Sequence, residues 1–275
     1  MPSLSIPAVT ESDILDMPEP LMAASYRHSE EKSSLSISHL AQPIYGGVGL
    51  ALFAIADLHL GRDMAMFGPA WEDHRSKVAT RWCRVVDEGD TVLILGDISW
   101  GMHLEDALPD LEFIKSLPGA KRLLKGNHDY WWQTEKKMRE VVLDARLALL
   151  KPEIIAGVAV CGTRGWLVPQ NPLFNEETDG KVYRREVLRL EMALKEVRGL
   201  RRNEPLAVMM HFPPAYRDQQ TDFITLMQEY GVSRCFYGHL HGNDQDRALV
   251  GEAWGIDFYL VAADYVNFTP VLVSS

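Results

Sequence analysis

Five short stretches carry residue types able to do chemistry: Asp57-Leu58-His59, Gly96-Asp97, Gly126-Asn127-His128-Asp129, His211, and Gly238-His239-Leu240-His241. Taken singly, each has a plain structural account. An acid at a strand end often caps a helix, and Gly, Asn and Asp gather in turns for their backbone preferences. Taken together they are harder to dismiss, because five of the nine histidines fall in these stretches. Asp57, His59, Asp97, Asn127, His211, His239 and His241 make a set of oxygen and nitrogen donors with no thiolate. Two metal ions, each needing several ligands, would consume that set. Imidazole mixed with hard oxygen suits Mn, Fe or Zn better than Ca or Mg. If the segments are extended, alternate residues point the same way, so Asp57 with His59, and His239 with His241, would each face one ligand. His28, His39, His74 and His103 are expected to be solvated side chains.

The elements that would hold these residues follow from hydrophobic pattern. "LALFAIAD", "TVLILGD" and "PLAVMMH" are continuous apolar runs ending in a polar residue, the pattern of strands buried on both faces. "KRLLKGNHD" and "SRCFYGHLH" are shorter versions. Helical spacing is expected over Trp71 to Val86, Leu104 to Leu117, Thr134 to Leu143, Lys181 to Val197 and Asp222 to Tyr230. Asp106, Asp110 and Glu112 lie early in the second helix, where its dipole favours acids. Strand alternating with helix implies βαβ units, a largely parallel sheet and an α/β fold. In such sheets ligands bind beyond the carboxyl ends of the strands, where all five stretches stand. The tail, with "RALVG", "DFYLVAAD" and "TPVLVSS", leaves little room for helices and is expected to form a meander or second sheet.

The ordered set D-x-H, G-D, G-N-H-D, lone H and G-H-x-H, from Asp57 to His241, resembles the calcineurin-like metallophosphoesterase superfamily, and most of all its small bacterial phosphohydrolases. The resemblance implies two mixed β-sheets sandwiched between helices, a four-layer α-β-β-α arrangement. It implies that Asp57, His59 and His241 hold one divalent ion, that Asn127, His211 and His239 hold another, and that Asp97 bridges them. It implies a metal-dependent phosphoesterase in which a water or hydroxide between the ions attacks in line, with no covalent phosphoenzyme. His128 would be the catalytic residue that stabilises the phosphoryl charge or protonates the leaving oxygen. Asp129 would fix the His128 tautomer, or cap the following helix. Many relatives carry an acid or Asn soon after the G-D pair; Trp100 stands there in this sequence.

Trp100, Trp131, Trp132 and Trp166 lie in or just after the candidate loops. Trp131 and Trp166 would wall a substrate, or close the rim of the core. Arg164, at a strand end, would be a phosphate fork or a surface ion-pair partner. Lys181, Arg184, Arg185 and Arg189 recur down one helix as a basic stripe or a solvated face.

The chain has 275 residues, 47% of them apolar, and a net charge of -10. That acidity argues against gripping long nucleic acid and leaves a small phosphorylated substrate as the expected partner. Three scattered cysteines, Cys83, Cys161 and Cys235, read as small buried thiols in a reducing compartment. No apolar run is long enough to span a bilayer, and the N-terminus lacks a secretory pattern; the reading is a soluble cytoplasmic protein. Residues 1–48 are rich in Ser, Pro and Glu and read as a flexible extension of the domain at 49–275. The composition change near Leu50 is also what a start assigned upstream of the natural one would give. Two other functions compete: a binding scaffold that has lost catalysis, and a nuclease of the same superfamily. Retention of His128 and all seven donors argues against the first, the acidic charge against the second.

Overall fold

The computed structural model describes residues 50–275. The expected extension over 1–48, with His28 and His39, lies outside them. Strands β1 (Leu52–Ile55), β2 (Thr91–Leu95), β3 (Ala120–Leu124) and β4 (Leu147–Leu149) run parallel, and β11 (Val271–Ser274) is antiparallel to β1, giving the order β11-β1-β2-β3-β4. A second sheet holds β5 (Glu153–Ile155), β6 (Val158–Thr163), β7 (Leu206–Met210), β8 (Arg234–Tyr237), β9 (Gly251–Ala253) and β10 (Ile256–Leu260) in the order β5-β6-β7-β8-β10-β9. Its centre is parallel, and its two edge strands are antiparallel.

Strand alternation builds the layers. Leu52, Ala54, Leu93 and Leu95 face Val158, Val160, Ala207, Met209 and Phe236 between the sheets. The intervening Phe53, Ile55, Val92 and Ile94 face α1 (His74–Val85), α2 (Leu104–Ser116) and α3 (Glu135–Val141). On the far side, Val208, Met210, Cys235 and Tyr237 pack on α4 (Glu176–Leu200) and α5 (Asp222–Glu229). The result is the expected α-β-β-α sandwich. Strands with apolar partners on both faces have no polar face to alternate, which is why their sequences read as continuous runs. Each fully buried aliphatic side chain contributes about 1.5–3 kcal/mol.

The tail joins the second sheet, as expected, through the β9–β10 hairpin, while β11 crosses to the edge of the first. Three expectations are corrected. Helix α4 begins earlier than Lys181, because Asn175 caps it through the Glu177 N–H and Glu176, Glu177 and Asp179 occupy its first turn. Asp110 lies beyond the first turn, where the helix dipole does not account for it. It is buried, and accepts from the Arg75 guanidinium at 2.9 Å and the Ser99 hydroxyl at 2.7 Å. Cys161 and Cys235 are buried as expected, but Cys83 is exposed. No helix among the described residues is long and apolar enough to cross a membrane.

The sheets are joined where the site begins. Just past β1, Ala56 N–H donates to the Val261 carbonyl at 2.9 Å, and Ala263 N–H donates to the Ala56 carbonyl at 2.9 Å.

Candidate metal centre

All five sequence stretches meet at the carboxyl ends of β1, β2, β3, β7 and β8. They do not converge as extended segments. Asp57, His59, Asp97 and His239 have φ of 59°, 45°, 50° and 74°, in the left-handed region. The strands therefore kink at the functional residues. Alternation along an extended chain was the wrong reason for the right convergence. Such positions cost on the order of 1–3 kcal/mol each and persist where the surroundings over-determine them. Close backbone approach supplies part of that constraint. A Cβ on Gly126 would lie 2.0 Å from Asp97 Oδ1, and one on Gly238 would lie 2.2 Å from Asp57 Oδ2.

Two groups of donors result: Asp57, His59 and His241 with ligand atoms within 4.8 Å of one another, and likewise Asp97, His211 and His239. Asn127 joins the second, its Oδ1 2.7 Å from His211 Nε2. Asp97 stands between the groups, with Oδ2 3.9 Å from His59 Nε2 and Oδ1 3.5 Å from His211 Nε2. One feature has no account in protein hydrogen bonding, and a second brings two ligand nitrogens within hydrogen-bond distance. Asp57 Oδ1 is buried and accepts nothing, a costly state for a carboxylate oxygen. His59 Nε2 and His241 Nε2 face each other at 3.3 Å. A cation satisfies both, so the residues present fit a metal.

The outer contacts orient the rings for ligation. His211 Nδ1 donates to the Leu95 carbonyl at 3.0 Å, and His241 Nδ1 donates to Asp264 Oδ1 at 2.8 Å. Both turn Nε2 toward the centre. His74 Nε2 lies 3.2 Å from the His59 carbonyl, and the ring is buried against Trp71, so it is not the solvated side chain expected. Burial holds His59 and His239 well below the ordinary histidine value and lowers His211, which keeps them in the neutral, ligating form. His241 is the exception. Burial opposes its protonation, but Asp264 and Asp57 push it up to about 10. Burial and the Asp57 carboxylate push Asp97 up to about 8. Burial also acts to raise Asp57, but the close imidazoles of His241, His211 and His59 hold it below the usual carboxylate range.

His128 stands beside this centre, Nε2 4.0 Å from Asp97 Oδ2 and its side chain 33% exposed. Trp100 lies over it at 4.5 Å and stacks on His59 at 5.3 Å. Burial pushes His128 down to about 4, so its ring is neutral in the protein's own field rather than poised near neutral pH. Its Nδ1 neighbour is the Tyr130 hydroxyl at 3.4 Å, not Asp129. Asp129 is fully buried and accepts from Asp97 N–H at 3.0 Å, Ile98 N–H at 2.8 Å, Gly126 N–H at 2.7 Å and Trp131 Nε1 at 3.0 Å. It fastens one ligand loop to another. Nor does it cap the next helix, since Thr134 does that. Trp131 is fully buried in the helix-side core, the second of the two places expected for it, and does not stand in a substrate wall.

Arg164 and Trp166 do reach the rim. The Arg164 carbonyl accepts from His211 N–H at 3.2 Å and Phe212 N–H at 2.9 Å, and its guanidinium lies 4.6 Å over the Trp166 ring. Trp166 is 5.1 Å from Phe212, which is 4.1 Å from His239. Sequence reasoning missed Asp264, Tyr130 and the wholly buried Glu186. Asp264 carries the one available signal, since it closes an apolar run as Asp57 and Asp97 do.

Gene 66 protein of Mycobacterium phage L5 is 41% identical over 78 residues, 27% of this chain and 37% of that protein. Gene 66 protein of Mycobacterium phage D29 is 40% identical over 76 residues, 27% of this chain and 38% of that one. The match therefore spans well under half the length of these relatives. Among solved structures, a phosphopantetheinyl hydrolase from Mycobacterium tuberculosis superposes with a TM-score of 0.54 over 83% of this chain and 97% of that one, at 13% identity. A protein of unknown function from Aquifex aeolicus covers 82% of this chain and 96% of its own at a TM-score of 0.46 and 18% identity. The sequence model of the calcineurin-like phosphoesterases matches residues 50–243, a span that contains every candidate ligand, and the chain belongs to that family.

Proposed function

We propose that the protein is a phosphohydrolase that uses two divalent ions to cleave a phosphomonoester or phosphodiester of a small substrate. Asp57, His59 and His241 would hold one ion, Asn127, His211 and His239 the other, with Asp97 shared. The donor set favours Mn, Fe or Zn. Bound there, the ions would supply Lewis acidity, lowering the pKa of a water toward neutrality and drawing in phosphoryl oxygens. The observation that carries this reading is the orphaned Asp57 Oδ1 beside two imidazole nitrogens that face each other. The solved hydrolase of the same fold supports hydrolytic chemistry.

The chain's own residues account for the rest. With the Tyr130 hydroxyl donating to Nδ1, neutral His128 carries its proton on Nε2, the nitrogen nearer Asp97. That N–H stabilises charge on the phosphoryl or leaving oxygen. Trp100 covers His59 and His128 and excludes water from one side.

The test is a panel of phosphomonoesters and phosphodiesters, including bis-p-nitrophenyl phosphate, with Mn, Fe or Zn restored. His128→Ala is expected to lower kcat by about 100-fold while metal content stays near wild type. Asp97→Asn should lose both metal and turnover. No turnover with any metal, or equal turnover in Asp97→Asn, sinks the proposal.

A further inference from the structure

Behind the end of β6 one fully buried carboxylate is approached by three arginines, of which Arg185 and Arg189 are more than half exposed and Arg164 is not. Glu186 lies on α4 with Oε2 accepting the Thr163 hydroxyl at 2.6 Å. Its Oε1 is shared among Arg189 Nη1 at 2.6 Å, Arg185 Nε at 3.7 Å and Arg164 Nη2 at 3.9 Å. Only the first is a hydrogen bond by distance. Arg164 is 17% exposed, and its Nε is buried with no acceptor. Trp166 lies under the guanidinium and holds its plane without satisfying any N–H. Lys125, half-buried and two residues before Asn127, has no ion-pair partner among the described residues. Three other carboxylates are near. Asp97 and Asp129 are engaged by the loop N–H groups described above, and Asp179 accepts from Trp166 Nε1 at 2.9 Å.

Cations held this far from water with donors unspent are an incomplete site. We propose that Arg164 and Lys125, backed by Arg185 and Arg189, form an anion subsite beside the metal centre that takes a second phosphate of the substrate. This rests on the phosphohydrolase reading and narrows it, to substrates carrying another phosphate near the one that is cleaved. Arg164 offers a planar fork for phosphate oxygens, and Lys125 a point charge. The Trp166 and Phe212 rings, which connect Arg164 to His239, border the same space.

The test uses the full-length chain with adenosine 5′-monophosphate, 5′-diphosphate and 3′,5′-bisphosphate, which share one base and differ in phosphate count. Calorimetry on the chelated protein reads binding, and phosphate release with metal restored reads kcat/KM. A two-phosphate compound should bind about 10-fold or more tighter than the monophosphate, and show a similar advantage in kcat/KM. Arg164→Gln and Lys125→Gln should each reduce that advantage to about 3-fold or less, whereas Arg164→Lys, which keeps the charge but not the fork, should fall between Arg164→Gln and wild type. Melting curves identify any variant that has lost its fold, and in that case the Lys125→Gln binding ratio decides. Equal affinity for one and two phosphates, or an advantage that survives both Gln variants, overturns the subsite. Failure to hydrolyse any ester would overturn the phosphohydrolase reading while leaving the binding ratio to judge the subsite.

Discussion

Asp129→Asn changes one atom and should damage the centre more than any surface substitution. In the native loop, Asp129 Oδ2 accepts Asp97 N–H at 3.0 Å and Gly126 N–H at 2.7 Å, while Oδ1 accepts Ile98 N–H at 2.8 Å and Trp131 Nε1 at 3.0 Å. A carboxylate can satisfy four donors because both of its oxygens only accept. An amide cannot, because whichever way it turns, its NH2 meets at least two donors with no lone pair to offer, and Ser99 N–H, 3.4 Å from Oδ1, is a third in one orientation. Two buried N–H groups orphaned at about 1–3 kcal/mol each give a loss of about 2–6 kcal/mol. For a domain of this size that is roughly 5–15 °C in Tm. Thermal and denaturant melts of the chelated protein isolate the loop from metal binding. Metal content after reconstitution then reads the second consequence, because Asp97 and Asn127 flank the broken contacts and should lose their register. If chelated Asp129→Asn melts within about 2 °C of wild type and still loads two ions, the fastening role is wrong.

Three further outcomes follow from the same contacts. Asp264→Asn weakens the 2.8 Å bond that orients His241, and should cost about 10–100-fold in metal affinity, read by competition with a chromogenic chelator. Trp131→Phe removes the Nε1–Asp129 bond from a fully buried ring, and should lower stability by about 1–3 kcal/mol in denaturant melts. A KM change without a stability change would instead return Trp131 to the substrate wall. Adding Mn to chelated protein should raise Tm, since at about 100-fold excess over Kd each site contributes about 2.7 kcal/mol, and Asp57→Ala, which strips one of the two sites, should abolish about half of that rise.

The ligand set was legible because its residues close apolar runs. A strand buried on both faces leaves its first polar residue at the sheet rim, so Asp57, Asp97, His211 and His239 declare their place by pattern, whereas β3 alternates in burial and Asn127 follows Lys125 and Gly126. The geometry that gathers them was not legible. Positive φ at Asp57, His59, Asp97 and His239 is imposed by tertiary contact, and none of these is a glycine that would announce it. The same limit hid the roles of Asp129 and Trp131. A Gly-Asn-His-Asp stretch reads as a turn or as chemistry, and only the fold shows that its last acid points away from His128 into the N–H groups of the β2 loop. The strands β4, β5 and β9 have three residues each and show too little periodicity to read, although Ala156-Gly157, with φ of 46° and 71°, makes the tight turn that β5 and β6 require.

The two donor groups are built from both sheets. Asp57 and His59 follow β1 of the first sheet, while His241, their partner, follows β8 of the second. Asp97 follows β2, whereas His211 and His239 follow β7 and β8. Neither sheet can therefore assemble a complete group by itself, and the spacing between the groups is set by how the sheets pack. The hydrogen bonds from Ala56 to Val261 and from Ala263 to Ala56 fix that packing one residue before the first ligand. The small side chains Ala54, Ala56 and Ala207 in the layer between the sheets let the backbones approach there. Interiors are close-packed and shift in discrete steps rather than deforming smoothly, so a constraint one residue from Asp57 is transmitted to the ligand with little loss. This accounts for a centre whose strained backbone is held in place without any single dominant interaction. Strand ends from two sheets converge, glycines at 126 and 238 admit the close approach, and Asp129 fastens the Asp97 and Asn127 loops together.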